Sequence, residues 1–228
     1  MAGQQDPTTQ YDLIGRGRTA DVHALDDAWV LRRYRDGLDA RGEADVMAYV
    51  RAHGFPAPRV RADPGLAPGE LVLERLDGPT QLDALLRGAL GAAEAGRELA
   101  FLLGWLHAVP ARPGGHVLHL DLHPDNVIRT PHGPMVIDWA NAEEGSPALD
   151  WAMSALILAE VAVDPGRHEA RVAREALGAL LAAPHPHLAE PFLAEVRARR
   201  GANPTLDADE KSRLGAAVEL VRSLEGAR

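Results

Sequence analysis

The apolar pattern of this chain changes period near residue 77, and that change limits its possible folds more than any other feature. Before it, apolar residues come in short runs broken by tight turns. Tyr11–Ile14, Asp21–Ala24, Trp29–Tyr34, Val60–Arg61 and Glu70–Leu76 read as strands, with turns at Leu25-Asp26-Asp27 and Asp63-Pro64-Gly65. One helix is expected over Asp39–Ala52, where Val46, Met47 and Val50 share a face, and the stretch from Gly54 to Pro58 ends it. After Gly78-Pro79 the helical period takes over. Leu82–Leu86 is a short helix and Ala93–His107 a long one, with Leu99, Leu102, Leu103 and Leu106 in one stripe. Val127–Arg129 and Met135–Ile137 are short strands around a turn at Pro131–Pro134. From Pro147 helices dominate, broken at Asp164-Pro165-Gly166, Ala183–Pro186 and Asn203-Pro204; the last carries Leu214, Ala217, Val218 and Val221 on one face. The expected fold class is α+β: a small β lobe over residues 1–77 and a larger helical lobe over 78–228, with a cleft between them suited to a ligand.

Composition removes several chemistries. With 228 residues and 46% hydrophobic content the chain can bury a large core. Only 4% is aromatic, so that core is mostly Leu, Val, Ile and Ala. A net charge of -9 argues against broad affinity for nucleic acid or acidic membranes and favours neutral or cationic partners. The absence of cysteine excludes disulfides, thiol catalysis and Cys-based metal sites. The only lysine is Lys211, near the C-terminus, which leaves none for Schiff-base chemistry or a Gly-Lys-Ser/Thr phosphate loop. The first ten residues are polar and lack the apolar segment of a signal peptide. Ala152–Val163 is too short to cross a bilayer and contains Glu160. A cytoplasmic location is expected.

The densest polar signal is His119-Leu120-Asp121-Leu122-His123-Pro124-Asp125-Asn126, a loop between a helix and a strand, followed by Asp138 at the end of Met135-Val136-Ile137. Phosphoryl transfer from ATP needs Mg²⁺, which takes oxygen ligands, and a carboxylate to receive the proton of an acceptor hydroxyl. A loop Asp, a loop Asn and an Asp at the next strand end supply these groups. Upstream, Ile14-Gly15-Arg16-Gly17-Arg18-Thr19-Ala20-Asp21-Val22 is a glycine-rich turn between strands, where bare backbone can approach phosphate oxygens.

These two segments, together with Val136-Ile137-Asp138-Trp139 and Gly145–Ala152, resemble the aminoglycoside phosphotransferase and choline kinase family over roughly residues 11–155. The resemblance implies a two-lobed protein-kinase-like fold with an antiparallel N-terminal sheet, and an ATP- and Mg²⁺-dependent kinase acting on a small-molecule acceptor. Carried over by position, Asp121 resembles the catalytic base, and Asn126 and Asp138 the Mg²⁺ ligands. Gly15, Gly17 and Val22 belong to the phosphate loop, and Val30 to the nucleotide site. Glu74, Arg75 and Leu76 fall where the lobe connection holds adenine. Asp150 resembles a brace of the catalytic loop, and Glu43 the helix glutamate that pairs with the phosphate-binding cation, with Asp45 as its competitor. The family's strand lysine is replaced by Arg32, with Arg33 as second choice; alternation along the strand puts Val30, Arg32 and Tyr34 on one face. This departure also admits a nucleotide-binding scaffold without catalysis. A protein kinase is disfavoured, because Trp139–Leu149 leaves no room for an activation segment.

Other polar residues have blander readings. His119 and His123 brace their loop, against a rival zinc site formed with His116, Asp121 and Asp125. Glu143, Glu144, Glu160 and Glu190 are candidates for an acidic acceptor wall suited to an aminoglycoside or another amine, or else ordinary surface acids of a chain with net charge -9. His185 and His187 are expected in solvent. Arg197, Arg199 and Arg200 read as the charged end of a helix.

Overall fold

The computed structural model describes residues 11–35, 37 and 39–226. The reading of the first ten residues lies outside these. Five antiparallel strands form the N-terminal sheet in the order β1-β2-β3-β5-β4. They are β1 (Asp12–Arg16), β2 (Ala20–Ala24), β3 (Trp29–Tyr34), β4 (Val60–Arg61) and β5 (Glu70–Glu74), and α1 (Arg41–Ala52) packs among them. The helical part contains α2 (Gln81–Leu86), α3 (Ala92–Ala108), α4 (Pro147–Ala162), α5 (Ala170–Ala182), α6 (Glu190–Ala202) and α7 (Ala208–Glu225). Two small ribbons complete it: β6 (His116–Leu118) with β9 (Glu143–Gly145), and β7 (Val127–Thr130) with β8 (Gly133–Val136).

The elements read from the sequence are present with shifted ends. The helix expected from Asp39 starts at Arg41, because Asp39 instead accepts the Arg41 backbone N–H at 3.0 Å. The strand expected to run to Leu76 stops at Glu74, where Arg75 turns to donate its N–H to Ala28 at 2.8 Å. The strand expected to end at Ile137 stops at Val136, since the Ile137 N–H crosses to the Asn126 carbonyl at 3.0 Å. The β6–β9 ribbon was not legible in sequence: Glu143-Glu144-Gly145 has no strand-forming pattern, and its partner fixes it.

One apolar core runs through the molecule. Val50 and Phe55 from the sheet side meet Leu102, Leu106 and Trp139 from the helical side. Phe55 stands edge-on to Trp139, ring centres 5.6 Å apart. The four leucines of the α3 stripe are buried, as is the expected face of α7. The hydrophobic α4 is covered nearly all round, which is why it carries no polar stripe. None of the described helices is long and apolar enough to cross a membrane.

Two glycines fix how the parts meet. Gly78, at φ 144°, lies so close to β7 that a Cβ there would fall 2.1 Å from the Arg129 carbonyl. Gly96 lets α3 and α5 approach until a Cβ would lie 2.1 Å from the Ala176 carbonyl. Gly96→Ala is therefore expected to destabilise the protein by about 1–3 kcal/mol, the range for overpacked cores. Gly104→Ala on the same helix, where a Cβ meets open space, is expected to be neutral or to stabilise by up to about 1 kcal/mol. Urea unfolding of both variants checks this.

Candidate active site

Arg32 is the structural centre of the site. Alternation places Val30, Arg32 and Tyr34 together, and the side chains of Arg32 and Tyr34 turn to the same partner. Arg32 Nη1 donates to Glu43 Oε1 at 2.7 Å and Nη2 to Asp138 Oδ1 at 2.5 Å. Tyr34 Oη donates to Glu43 Oε2 at 2.7 Å, and the Trp139 backbone N–H reaches Glu43 Oε1 at 3.2 Å. Arg32 also lies over the Tyr34 ring, 4.9 Å from its centre. Arg32 and Glu43 are both buried. Burial works against the Arg32 charge, but Asp138 and then Glu43 outweigh it and hold its pKa above the ordinary arginine value. Burial raises the Glu43 carboxyl, opposed by Arg32 and the Tyr34 hydroxyl. Burial, then the charge of Glu43, pushes the Tyr34 phenol far up, so it remains a donor. The second choice, Arg33, faces away and pairs with Glu70 at 2.6 Å. Asp45 is exposed, so Glu43 is the helix carboxylate that meets the strand cation.

The loop that follows β6 holds its shape through Asp150. Leu120 and Asp138 are the only non-glycine residues with positive φ among those described, at 58° and 65°. Such backbone persists only where neighbours over-determine it. At Leu120 the neighbour is Asp150, fully buried at the start of α4. It accepts the N–H groups of Leu120 at 2.8 Å and His119 at 3.0 Å, and lies 2.9 Å from His107 Nε2. Burial alone would raise this carboxyl; the His107 hydrogen bond and the backbone donors reverse that and hold it below the usual range. His119 is buried. Its Nδ1 accepts the Asp121 N–H at 3.2 Å and its Nε2 lies 3.1 Å from the Ile137 carbonyl, so it is a structural link between loop and strand end.

These constraints bring Asp121 and Asn126 together. Asn126 Nδ2 donates to the Asp121 carbonyl at 2.8 Å and its carboxylate Oδ2 at 3.3 Å. His123 Nε2 lies 3.7 Å from Asp121 Oδ1, and burial lowers its pKa, so it is neutral at pH 7. Asp121 is partly open to solvent and Asp138 more so, at 22% and 38% side-chain exposure. Among the described residues no group of three or more His, Asp or Glu side chains could hold a metal ion, so the zinc site around His116 does not form.

The remaining expected residues are distributed around this centre. Gly15 pairs with Val22, and Val22 with Arg32, across β1, β2 and β3. The Gly17 N–H is taken by the Ala20 carbonyl at 2.9 Å, and neither glycine has a positive φ. Val30 is buried opposite Leu73. The Glu74 side chain turns outward to the Arg59 backbone N–H at 3.0 Å, and Leu76 is half-buried in the connection.

One expectation about the outer residues is corrected. His185 is not in solvent: its side chain has no exposure, stacks on Trp151 with ring centres 5.1 Å apart, and lies 3.2 Å from Glu225. Glu143, Glu144, Glu160 and Glu190 pair with Arg199, Arg112, Arg200 and Arg222 respectively. Arg199 and Arg200 sit in the last turn of α6, as expected for the charged end of a helix, and both also make ion pairs. Tyr34 and His107 were not read from sequence as parts of the site; only the alternation along β3 hinted at Tyr34.

This arrangement, a sheet and a helical part linked where Arg32 meets Asp138 and Glu43 accepts the Trp139 N–H, beside a carboxylate-bearing loop, is that of a small-molecule kinase with a protein-kinase-like fold. The sequence matches the phosphotransferase enzyme family (APH) over residues 11–116 and 112–192, and the chain belongs to that family. No curated protein sequence matches it. Solved structures that share the fold include a thermostable mutant of aminoglycoside phosphotransferase APH(4)-Ia in ternary complex with AMP-PNP and hygromycin B. That match has 13% identity and a TM-score of 0.61, and covers 94% of each chain. A choline/ethanolamine kinase family protein from Mesorhizobium loti matches at 18% identity and a TM-score of 0.56, over 99% of this chain and 94% of that one. ADP-bound aminoglycoside phosphotransferase APH(2'')-Ib matches at 10% and 0.54, over 96% of each.

Asp150→Asn turns an amide donor toward backbone N–H donors, and each donor left unpaired costs about 1–3 kcal/mol. Because folding lowers the Asp150 pKa, its contribution is fully present above the unfolded carboxyl pKa of about 3.9 and is lost as pH falls through the folded value. The stability gap between native protein and Asp150→Asn is thus expected to be full at pH 7 and to shrink below about pH 4, read from urea unfolding across pH.

Proposed function

We propose that the protein is an ATP- and Mg²⁺-dependent phosphotransferase that moves the γ-phosphoryl group of ATP to a hydroxyl of a small molecule, with nucleotide between residues 1–77 and 78–228. The observation that carries this reading is the meeting of Arg32, Glu43 and Asp138 in one ion-paired group, with Asp121 and Asn126 hydrogen-bonded to each other in the loop that the same strand end pins. Fold neighbours solved with AMP-PNP or ADP bound support a nucleotide site of this kind.

In this reading Val22, Val30 and the backbone of Glu74 and Leu76 flank the base. Gly15 and Gly17 leave bare backbone above the phosphates. The metal donors are oxygen only, a carboxylate from Asp138 and a carboxamide from Asn126, which suits Mg²⁺. The Asn126 nitrogen is already committed to Asp121, so its oxygen would be the atom that holds the ion. When bound, Mg²⁺ supplies charge to offset the phosphates. Arg32 presents its guanidinium to the phosphates from the Glu43 side, where phosphate oxygens compete with Asp138 for Nη2. Asp121 orients the acceptor hydroxyl and takes its proton as the hydroxyl oxygen bonds to the γ-phosphorus and ADP leaves. Neutral His123 adds no positive charge that would weaken Asp121 as a base.

Asp121→Asn is expected to lower kcat by about 10²–10⁴-fold while leaving thermal stabilisation by ATP with Mg²⁺ intact. Loss of that stabilisation in the native protein overturns the reading. Arg32→Lys keeps a cation for phosphate and is expected to retain more turnover than Arg32→Ala. The alanine variant also leaves Glu43 buried without its ion pair, at a cost of about 3–5 kcal/mol, visible as a lower Tm. Equal activity of both variants places the phosphate cation elsewhere.

A further inference from the structure

Away from the site described above, α6 and α7 enclose a groove of about 420 Å³. The two helices run antiparallel. Arg222, near the end of α7, donates from Nε to Glu190 at the start of α6 at 3.0 Å. At the other end a Cβ on Gly201 would lie 3.7 Å from Leu214 Cδ1. From Glu190 to Gly201 the groove follows about 16 Å of helix. Leu193, Leu214 and Val218 form its floor, and Ala194 and Ala198 line the α6 side with nothing larger than methyl groups. Lys211, Leu214, Val218 and Arg222 recur at helical spacing, so α7 gives the groove an apolar stripe with a cation at each end.

The charges here run against those of the whole chain. The protein has a net charge of -9, yet three cations, Arg197, Lys211 and Arg222, and one carboxylate, Glu190, line the groove. Glu190 is spent on Arg222, which Glu219 also holds. Among the described residues Arg197 and Lys211 make no ion pair and no side-chain hydrogen bond. Glu210, next to Lys211, is committed to the helix cap and to Arg167 at 3.2 Å. The Arg197 guanidinium lies over α7 where there is no side chain: a Cβ on Gly215 would be 3.7 Å from its Nη2. Lys211 is the only lysine of the chain and stands in the first turns of α7, at the end where the helix dipole favours acids over cations. Helix stability therefore gives no reason for a cation at that position.

We infer that the α6–α7 groove is a binding site for an amphiphilic anion, an alkyl carboxylate whose headgroup sits between Arg197 and Lys211. Its chain lies along Leu193 and Val218 toward the Glu190–Arg222 pair. Arg197 offers N–H groups that match the two carboxylate oxygens, and Lys211 adds a point charge. The floor removes the apolar chain from water. The volume is that of a small-molecule pocket. The inference is independent of the phosphotransfer reading, since none of the residues assigned to nucleotide, metal or proton transfer lines this groove.

The test uses the full chain without nucleotide, with octanoate, acetate, octanol and octylammonium as probes in thermal shift and isothermal titration calorimetry. Octanoate is expected to bind and to raise the Tm, and the other three to bind at least about tenfold more weakly, as for loss of one interaction with a charged group. No binding of octanoate overturns the inference. So does equal binding of acetate, which makes the site one for a bare anion, or of octanol or octylammonium, which gives the cations no part. Lys211→Glu places an acid where the dipole favours one, so its Tm without ligand is expected to stay the same or rise, while stabilisation by octanoate is lost. Ala198→Leu keeps both cations and fills the groove, and is also expected to lose octanoate binding. Unchanged octanoate affinity in either folded variant overturns the assignment.

Discussion

The ion pair between Arg32 and Glu43 is the contact on which the rest of the site depends. Two buried charges are stable only when each remaining lone pair and N–H is also satisfied. Here Asp138, the Tyr34 hydroxyl and the Trp139 N–H complete the set. The consequence is geometric. Satisfying Glu43 requires that β3, α1 and the chain just beyond β8 arrive at one point, and so it fixes how the sheet sits against the helical part. Phe55 against Trp139 gives the same junction an apolar floor.

A second buried carboxylate shapes the loop. Asp150 gathers the adjacent backbone N–H groups of His119 and Leu120 and the His107 ring from two separate stretches of chain, and in doing so holds Leu120 in left-handed backbone. His119 then carries that order to the strand end at Ile137. Asp121 and Asn126 are therefore placed by residues that need not touch a substrate. The two buried acids divide the work: Glu43 holds Arg32, which meets Asp138, and Asp150 holds the loop that carries Asp121 and Asn126.

Arginine in place of lysine on β3 shapes the surrounding geometry. A guanidinium is planar and offers several donors, so it can hold two carboxylates at once where an ammonium acts as a point charge. Arg32 does this, with Glu43 on one nitrogen and Asp138 on the other. The same habit recurs at the end of α6, where Arg199 and Arg200 pair with Glu143 and Glu160, two of the carboxylates that sequence reading offered for an acceptor pocket. An abundance of arginine beside an abundance of acid is thus read as pairing only once both ends of each pair are located.

Periodicity and residue type settled much of this protein locally. The change of period near residue 77 placed the strands and helices, and the ordered set Gly15, Gly17, Arg32, Glu43, Asp121, Asn126 and Asp138 named the phosphotransferase family. Such features are legible because they depend on neighbours along the chain: alternation of faces, turn residues, a loop dense in oxygen donors. The tertiary structure alone paired Arg32 with Glu43 rather than Asp45, turned Arg33 to Glu70, made a strand of Glu143–Gly145, buried His185 against Trp151, and joined Arg200 to Glu160. Each of these is a meeting of residues far apart in sequence. Which charge meets which is set by the packing of helices and sheet around a shared core, and no local pattern encodes it.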